Sequence, residues 1–133
     1  MSIRIYKIAS IYFMCMLLIF GACHKSEQSI DIVISEKADN IEKLAANELS
    51  KYLGNIYTAF EFPVVTESIK KKKIYIGQKD KLPAQLRSSL SIPLNNEGFS
   101  IFHSDAETGV ITSSGSIGLL FGVYELLEKI GYS

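Results

Sequence analysis

The segment that most restricts the fold lies near the end of the chain, at residues 116–130 (SIGLLFGVYELLEKI). On a helix its nine large apolar residues would cover nearly every face, and Glu125, Glu128 and Lys129 mark a solvent side only near the end. A helix that is apolar on more than one side is buried on more than one side. The pattern therefore predicts a helix between a β-sheet and a second surface, which another domain or a partner would supply.

Residues 1–22 are predicted to be a secretory signal peptide. Arg4 and Lys7 give a basic start without an acid, and residues 8–20 form an apolar centre with one polar member, Ser10. Such a centre is shorter than the roughly 20 residues that a membrane-spanning helix needs. An uncleaved N-terminal anchor helix is the alternative interpretation.

The Gly-Ala-Cys sequence that follows this centre resembles the bacterial lipoprotein signal, whose Cys becomes the acylated first residue of the mature protein. Phe20 departs from the aliphatic residue that is usual three places before that Cys. The resemblance implies a lipid on Cys23, a polar tether at residues 23–29, and an exported protein anchored to a cell-envelope membrane, on its periplasmic or surface side. Cys15 would leave with the signal peptide, so neither a disulfide nor a thiol nucleophile would remain.

Residues 30–133 are predicted to form one small domain. Cleavage before Cys23 would remove two of the 14 bases and none of the 14 acids, which leaves a net charge of −2 on 111 residues. A chain of this size cannot hold an eight-fold (β/α) barrel of about 250 residues. Its near-neutral charge also argues against a nucleic-acid partner, since such proteins usually carry a basic face.

The pattern within this domain predicts an α/β fold, a single mixed β-sheet with two main helices. The first helix is expected at residues 38–53, with Asp39 and Glu42 forming a capping box and Gly54 ending it. Its predicted buried stripe comprises Ile41, Leu44, Ala45, Leu49, Tyr52 and Leu53. Strands are expected at residues 30–34, 62–66 and 74–77, and Pro63 places the second of them at a sheet edge or makes it a strand start. Short helical turns are expected within residues 81–91. Residues 98–102 and 110–113 are expected to form a hairpin around a loop at 105–109.

No catalytic residue, metal site or cofactor is expected. Ser116 lies at a strand-to-helix turn, but a Ser occupies position 114, where a nucleophile elbow needs Gly. The only His that could serve Ser116 is the distant His103. The favoured interpretation makes Ser116 a helix N-cap, with Gly115 giving the turn its backbone freedom. His24 and His103 have no second His or free Cys near them, whereas metal sites need several clustered ligands.

Other features have two open interpretations each. The lysine run at residues 70–73 either binds an anionic polysaccharide or phosphate-rich surface, or is a solvated strand end that discourages edge pairing. Gly118 and Gly122 lie four apart, which favours close approach of the last helix to the sheet. The aromatic residues that could contact a glycan are Tyr57, Phe60, Phe62 and Tyr75, and each suits the core equally well.

Five motifs follow one another along the chain: the strand at 32–38, AANELSKYL at 45–53, KIYIG at 73–77, EGFSI at 97–101 and GLLFGVYELLE at 118–128. In this order they resemble the N-terminal domain of the family-67 alpha-glucuronidases. They also resemble the second domain of bacterial beta-N-acetylhexosaminidases and related secreted glycan-degradation proteins. Ile117 departs from the Arg that often precedes the Gly of the last motif, and Phe121 replaces its usual Tyr.

This resemblance implies a mixed α/β domain that packs against a catalytic (β/α) barrel, which holds the catalytic carboxylates of those hydrolases. The chain is then a non-catalytic accessory domain in glycan degradation, here without its barrel because the gene is truncated or split. Phe121, Tyr124 and Leu127 of the closing helix are expected to contact the barrel domain or a separate hydrolase chain. The alternatives are a stand-alone glycan-binding surface lipoprotein and, third, an independent enzyme.

Overall fold

A computed structural model describes residues 28–88, 90 and 97–132. The predicted signal peptide, Cys23 and the tether up to residue 27 lie outside the described residues. A short 3₁₀ turn at Lys79–Lys81 precedes the second helix. The elements are β1 (Gln28–Ser29), β2 (Asp31–Val33), α1 (Asn40–Ile56), β3 (Phe60–Glu61), β4 (Val64–Val65), β5 (Lys73–Gln78), α2 (Ala84–Arg87), β6 (Phe99–His103), β7 (Thr108–Ser113) and α3 (Ser116–Lys129).

The main sheet has five strands in the order β4-β2-β5-β7-β6. The first four are parallel, and β6 runs antiparallel to β7. The short strands β1 and β3 pair in parallel and continue the edge ladder, in which Ile30 N donates to Glu61 O at 2.9 Å and Ile32 N to Pro63 O at 2.8 Å. The carbonyl oxygen of Pro63 thus accepts a hydrogen bond at the sheet edge, as predicted. The N–H that proline lacks is not needed at an edge. The last two residues of the predicted tether belong to this ladder.

Helices α1 and α3 lie side by side on one face of the sheet. Each follows a parallel strand, β2 or β7, so both begin at the carboxyl edge of the strands and run back toward the amino edge. Between helices and sheet lies the core, whose fully buried members include Ile32, Leu49, Ile76, Ile111, Leu119 and Val123. The mixed sheet with two main helices that the sequence predicts is confirmed.

The start of α1 is as predicted, and its end is not. Asp39 Oδ1 accepts hydrogen bonds from Ile41 N and Glu42 N, both at 2.9 Å, while Glu42 Oε2 accepts from Asp39 N at 2.7 Å. The helix then continues through Gly54 to Ile56, and the N–H of the C-cap Tyr57 donates to Leu53 O at 2.8 Å. Ile56 packs against the core, so tertiary burial extends the helix by two residues past a glycine that local preference would place after its end.

The start of α3 also differs from the prediction. Gly115 occupies the N-cap and Ser116 is the first helical residue, with no side-chain capping bond. Gly115 has a φ of −131°, which any residue can adopt, so the turn does not use its conformational freedom. The hydroxyl of Ser113 instead donates to the carbonyl oxygen of Gly115 and closes the turn.

The prediction for Gly122 is confirmed. A Cβ at this position would lie 3.0 Å from Ile111 Cγ2 and 3.3 Å from the ring of Phe99, so glycine lets α3 approach β6 and β7 closely. The β6–β7 hairpin is also confirmed, with Phe99 opposite Ser113 and His103 opposite Gly109. Its loop is closed by Ser104 N donating to Thr108 O at 3.0 Å.

Candidate functional site

A charged cluster lies at the carboxyl edge of the parallel strands, where α/β proteins commonly bind ligands. At its centre is the wholly buried carboxylate of Glu42, in the first turn of α1. Glu42 Oε1 accepts from Gln78 N at the end of β5, at 3.0 Å, and Oε2 accepts from Lys81 Nζ at 2.5 Å. The other oxygen of the capping Asp39, Oδ2, accepts from Gln78 Nε2 at 3.2 Å.

In these contacts the charged side chains of the cluster bind one another and the backbone. The hydrogen bond from the Glu42 N–H is the main cause that holds the pKa of Asp39 below its usual range, and a hydrogen bond from Ser116 also contributes. The hydrogen bond to Glu42 raises the pKa of Lys81. Among the described residues, every buried side-chain nitrogen or oxygen has a partner. The cluster joins α1, β5 and the 3₁₀ turn, and its chemistry is that of a structural clamp.

The structure does not bring Ser116 and His103 together. Ser116 lies just past the carboxyl end of β7, whereas His103 ends β6 opposite Gly109, near the start of β7, and is exposed. The two residues are thus at opposite edges of the sheet. Among the described residues, no three His, Cys, Asp or Glu side chains are grouped as metal ligands would be.

An apolar stripe runs along the side of α3 that faces away from the sheet. Ile117, Phe121 and Tyr124 follow the i, i+4, i+7 spacing of one helix face, and each is 45–49% exposed. Phe121 and Tyr124, which the sequence predicts as interface residues, therefore lie on the surface. Leu127, the third predicted residue, is 1% exposed and belongs to the core. Glu128, seven residues after Phe121 and exposed, takes the next position on the stripe, whereas Leu127 lies roughly a quarter turn round the helix from it and faces the core.

Helix α1 contributes to the same surface. Tyr124 Oη donates to Glu48 Oε2 at 3.1 Å, and the Tyr52 and Tyr132 ring centroids are 4.3 Å apart. Burial, together with the hydrogen bond to Glu48, raises the pKa of Tyr124. We call the exposed apolar residues on this side of the two helices the helix-layer surface: Leu44, Ile117, Phe121, Tyr124 and Tyr132.

The sequence prediction missed two members of this surface and misplaced a third. It gave no interface role to Ile117 or Tyr132, and it assigned Leu44 to the buried stripe of α1, although Leu44 is 48% exposed. The buried positions recur as Ala45, Leu49 and Leu53, an i, i+4, i+8 series. The next position on the Leu44 face is the charged Glu48, and that signal could have separated the two faces.

The helix-layer surface has the character of an interaction site. Single exposed apolar side chains are common on soluble proteins, but a continuous set on neighbouring helices marks a place where another surface binds. Here five large apolar side chains lie on one side of a two-helix layer, and the opposite side of that layer already packs on the sheet. The second surface that the closing helix requires is not supplied by the described residues.

The aromatic residues considered for glycan contact lie around the amino edge of the parallel strands, except Tyr75 in mid-strand. Phe62 is buried, Phe60 and Tyr75 are half-buried, and Tyr57 is exposed. Tyr57, Phe60 and Phe62 line an apolar cavity of about 450 Å³.

No helix among the described residues has the length and apolar character needed to cross a membrane.

The described residues form a mixed α/β domain with an exposed apolar surface on its helix layer. The family described as "Glycosyl hydrolase family 67 N-terminus" matches residues 21–126. The chain belongs to this family, which confirms the resemblance found in the sequence.

Two solved structures share the fold. A family GH115 4-O-methyl-alpha-glucuronidase with specificity for decorated arabinogalactans matches with a TM-score of 0.66 and 18% identity, over 80% of this chain and 14% of that one. A GH138 enzyme that targets pectin rhamnogalacturonan II matches with a TM-score of 0.58 and 18% identity, over 79% of this chain and 14% of that one. The chain thus spans only 14% of the length of either enzyme. No curated protein sequence matches it.

Proposed function

We propose that this chain is a non-catalytic accessory domain in glycan degradation, which docks onto a catalytic (β/α) barrel through the helix-layer surface. The observation that carries the proposal is the exposed stripe of Ile117, Phe121 and Tyr124, on a helix whose other sides are already buried. Family membership and the two multidomain hydrolases that contain this fold support it. The catalytic carboxylates would belong to the barrel.

The test starts from the nucleotides after codon 133 and the neighbouring genes, read in all frames for a barrel-like coding sequence. That sequence would reveal a continuous, truncated or split gene and provide the barrel for a binding experiment. We expect the purified barrel to bind this domain, and Phe121→Glu to abolish the binding, because it would bury an unpaired charge in the interface.

Ile69→Glu is the control, since Ile69 is also an exposed apolar residue but lies outside the helix-layer surface. It should leave barrel binding unchanged. Undiminished binding of the Phe121 variant would refute docking through this surface. Turnover of aryl-glycosides by the isolated domain would instead restore the hypothesis of an independent enzyme.

The proposal includes a lipid on Cys23, which would hold the domain on the periplasmic or surface side of a cell-envelope membrane. It is supported by the basic, apolar and small-residue order before Cys23. Cys23→Ser should release the protein from the membrane fraction and abolish labelling by a fatty-acid probe. A wild-type protein that stays in the membrane without taking up the probe would contradict acylation.

A second candidate function is glycan binding by a stand-alone surface lipoprotein. The observation in its favour is the exposed ring of Tyr57 beside the apolar cavity that Phe60 and Phe62 also line. Binding of the isolated domain to a glycan array, lost in Tyr57→Ala, would favour it. If unrelated sequence follows codon 133 and the domain is a well-folded monomer, this function replaces the accessory one.

A further inference from the structure

The connection between β4 and β5 carries an unusual combination of side chains. Within this segment, residues 66–72, which we call the lysine loop, Ile69 is fully exposed and is followed directly by Lys70, Lys71 and Lys72. An exposed β-branched side chain beside several lysines combines the two features of a membrane-interface contact, an apolar group for the acyl boundary and cations for anionic headgroups.

The exposure of Ile69 is imposed by the fold. On one side of it, Ser68 Oγ donates to Asp31 Oδ2 at 2.6 Å, and on the other, Lys70 Nζ contacts Asp31 Oδ1 at 2.6 Å. The Lys70 N–H also donates to Ser68 Oγ at 3.2 Å, which closes the turn between them. Because both neighbours of Ile69 are tied to a buried carboxylate of β2, its side chain is held outward.

The positive charge available at the tip comes from two lysines, and the exposed Glu67 of the same loop offsets part of it. Lys71 and Lys72 are exposed and form no ion pair with any residue in the described part of the chain. Lys70 is neutralised by Asp31, and Lys73 donates to the carbonyl oxygen of Ser68 at 3.3 Å. Acidic residues of the β6–β7 loop, Asp105 and Glu107, lie on the Lys73 side of the loop.

The lysine loop lies where the chain enters the domain. Lys70 Nζ contacts Ser29 Oγ in β1 as well as Asp31 in β2, so the loop is next to the first described strand. Cys23 is five residues before Gln28, and five extended residues span at most about 18 Å. A lipid on Cys23 would therefore hold this edge of the domain close to the bilayer.

We propose that the lysine loop contacts the anionic phospholipid surface of the membrane that carries the anchor, with Ile69 at the acyl boundary and Lys71 and Lys72 at the headgroups. The contact orients the domain on the membrane. This inference depends on the proposed anchoring through Cys23. An anionic polysaccharide would use the lysines but gain nothing from Ile69, so the membrane is the favoured partner.

The test uses the absence of Trp from the sequence. The chain from Cys23 onward, which contains the whole described core, is coupled through Cys23 to a maleimide lipid in vesicles of phosphatidylcholine with or without phosphatidylglycerol. Ile69→Trp places a single reporter at the tip. Phe121→Trp is the matched control, because Phe121 is an exposed apolar residue on the helix-layer surface, which does not include the lysine loop.

We expect the tryptophan fluorescence of the Ile69→Trp variant to shift to the blue on anionic vesicles and to be quenched there by brominated lipids. Neither effect should occur on vesicles of phosphatidylcholine alone. Adding Lys71→Gln and Lys72→Gln should lower the ratio of inserted to free reporter about 30-fold, since each lysine near an anionic surface contributes about 1 kcal/mol. The Phe121→Trp variant should show neither effect.

The proposal is overturned if Ile69→Trp shows no shift, if Phe121→Trp shifts equally, or if the lysine substitutions change nothing. A shift caused by soluble polygalacturonate, and not by vesicles, would assign the loop to a glycan instead. Because the anchor is attached chemically, these outcomes do not depend on acylation in the cell. The Cys23→Ser experiment tests that step separately.

Discussion

At the scale of single residues, two glycines show how position decides the effect of one methyl group. The Cβ of an alanine at position 122 would lie within 3.0 Å of Ile111 Cγ2, whereas at position 54 it would meet no atom within 4 Å. We expect Gly122→Ala to destabilise the domain by about 1–3 kcal/mol through overpacking. Gly54→Ala, inside α1, should stabilise it by about 0.5–1 kcal/mol, because alanine loses less backbone entropy in a helix.

Chemical denaturation of the two variants measures this difference directly. The comparison is informative because both substitutions add the same group to a helix. Equal effects at the two positions would mean that α3 does not approach the sheet as closely as the structure shows.

Two leucines of α1 provide a second matched pair. Leu49 is fully buried and Leu44 is about half exposed, although the sequence places both in one stripe. Leu49→Ala should lower the free energy of unfolding by about 2–4 kcal/mol because it leaves a cavity in the core. Leu44→Ala should change it by less than about 0.5 kcal/mol. Urea denaturation measures both variants. If Leu44→Ala were the more destabilising of the two, the structure would have assigned the buried face of α1 to the wrong side of the helix.

At the scale of secondary-structure elements, the Glu42–Lys81 pair joins α1 to β5 and the turn that follows it. Lys81→Met removes the only cation bound to a fully buried carboxylate among the described residues, which should cost about 3 kcal/mol. Thermal and urea denaturation measure this loss. Glu42→Gln with Lys81→Met, which removes both charges, should recover part of the stability.

The same pair predicts a dependence on alkaline pH. The pKa of Lys81 is raised above its ordinary 10.5 in the folded protein, so its contribution is fully present below pH 10.5 and is lost as the pH rises through the folded pKa. The wild-type protein should therefore lose stability in that range, and Lys81→Met should lose less. Parallel alkaline denaturation profiles for the two proteins would contradict this linkage.

The pKa of the capping Asp39 is lowered in the folded protein, so its contribution to stability is lost in acid and not in alkali. Because it lies below its ordinary 3.8 in the folded state, the contribution of the cap is present above pH 3.8 and is lost as the pH falls through the folded pKa. Asp39→Ala should cost about 1 kcal/mol at neutral pH, and less in acid. A difference from wild type that stays constant on acidification would show that the cap carries no charge-dependent stability.

At the scale of the whole molecule, the helix-layer surface should matter for association and not for folding. Phe121→Ser in the isolated domain should change the free energy of unfolding by less than about 0.5 kcal/mol, because the side chain is about half exposed. The same substitution should weaken barrel binding and reduce self-association at high concentration, since it removes exposed apolar area. Sedimentation and urea denaturation separate the two effects. A large loss of stability would mean that Phe121 is part of the core.

The sequence by itself determined the features that depend on neighbouring residues. Helical periodicity defined α1 and α3, the Asp39–Glu42 spacing gave the capping box, and Pro63 indicated an edge strand. The order of motifs identified the family, because order and spacing persist where single residues change. All these signals lie within one element or its immediate flanks, where local geometry relates sequence position directly to structure.

Only the tertiary structure decided which apolar residues lie inside. Leu127 is buried and Phe121 is exposed, yet both belong to one nearly uniform apolar helix, and the outcome depends on where α1 and the sheet lie beside it. Likewise α1 runs past Gly54 because Ile56 finds the core, and Glu42 is bound by Lys81, which is 39 residues away along the chain. Burial and ion pairing depend on distances in space, and those distances exist only once the strands and helices have packed.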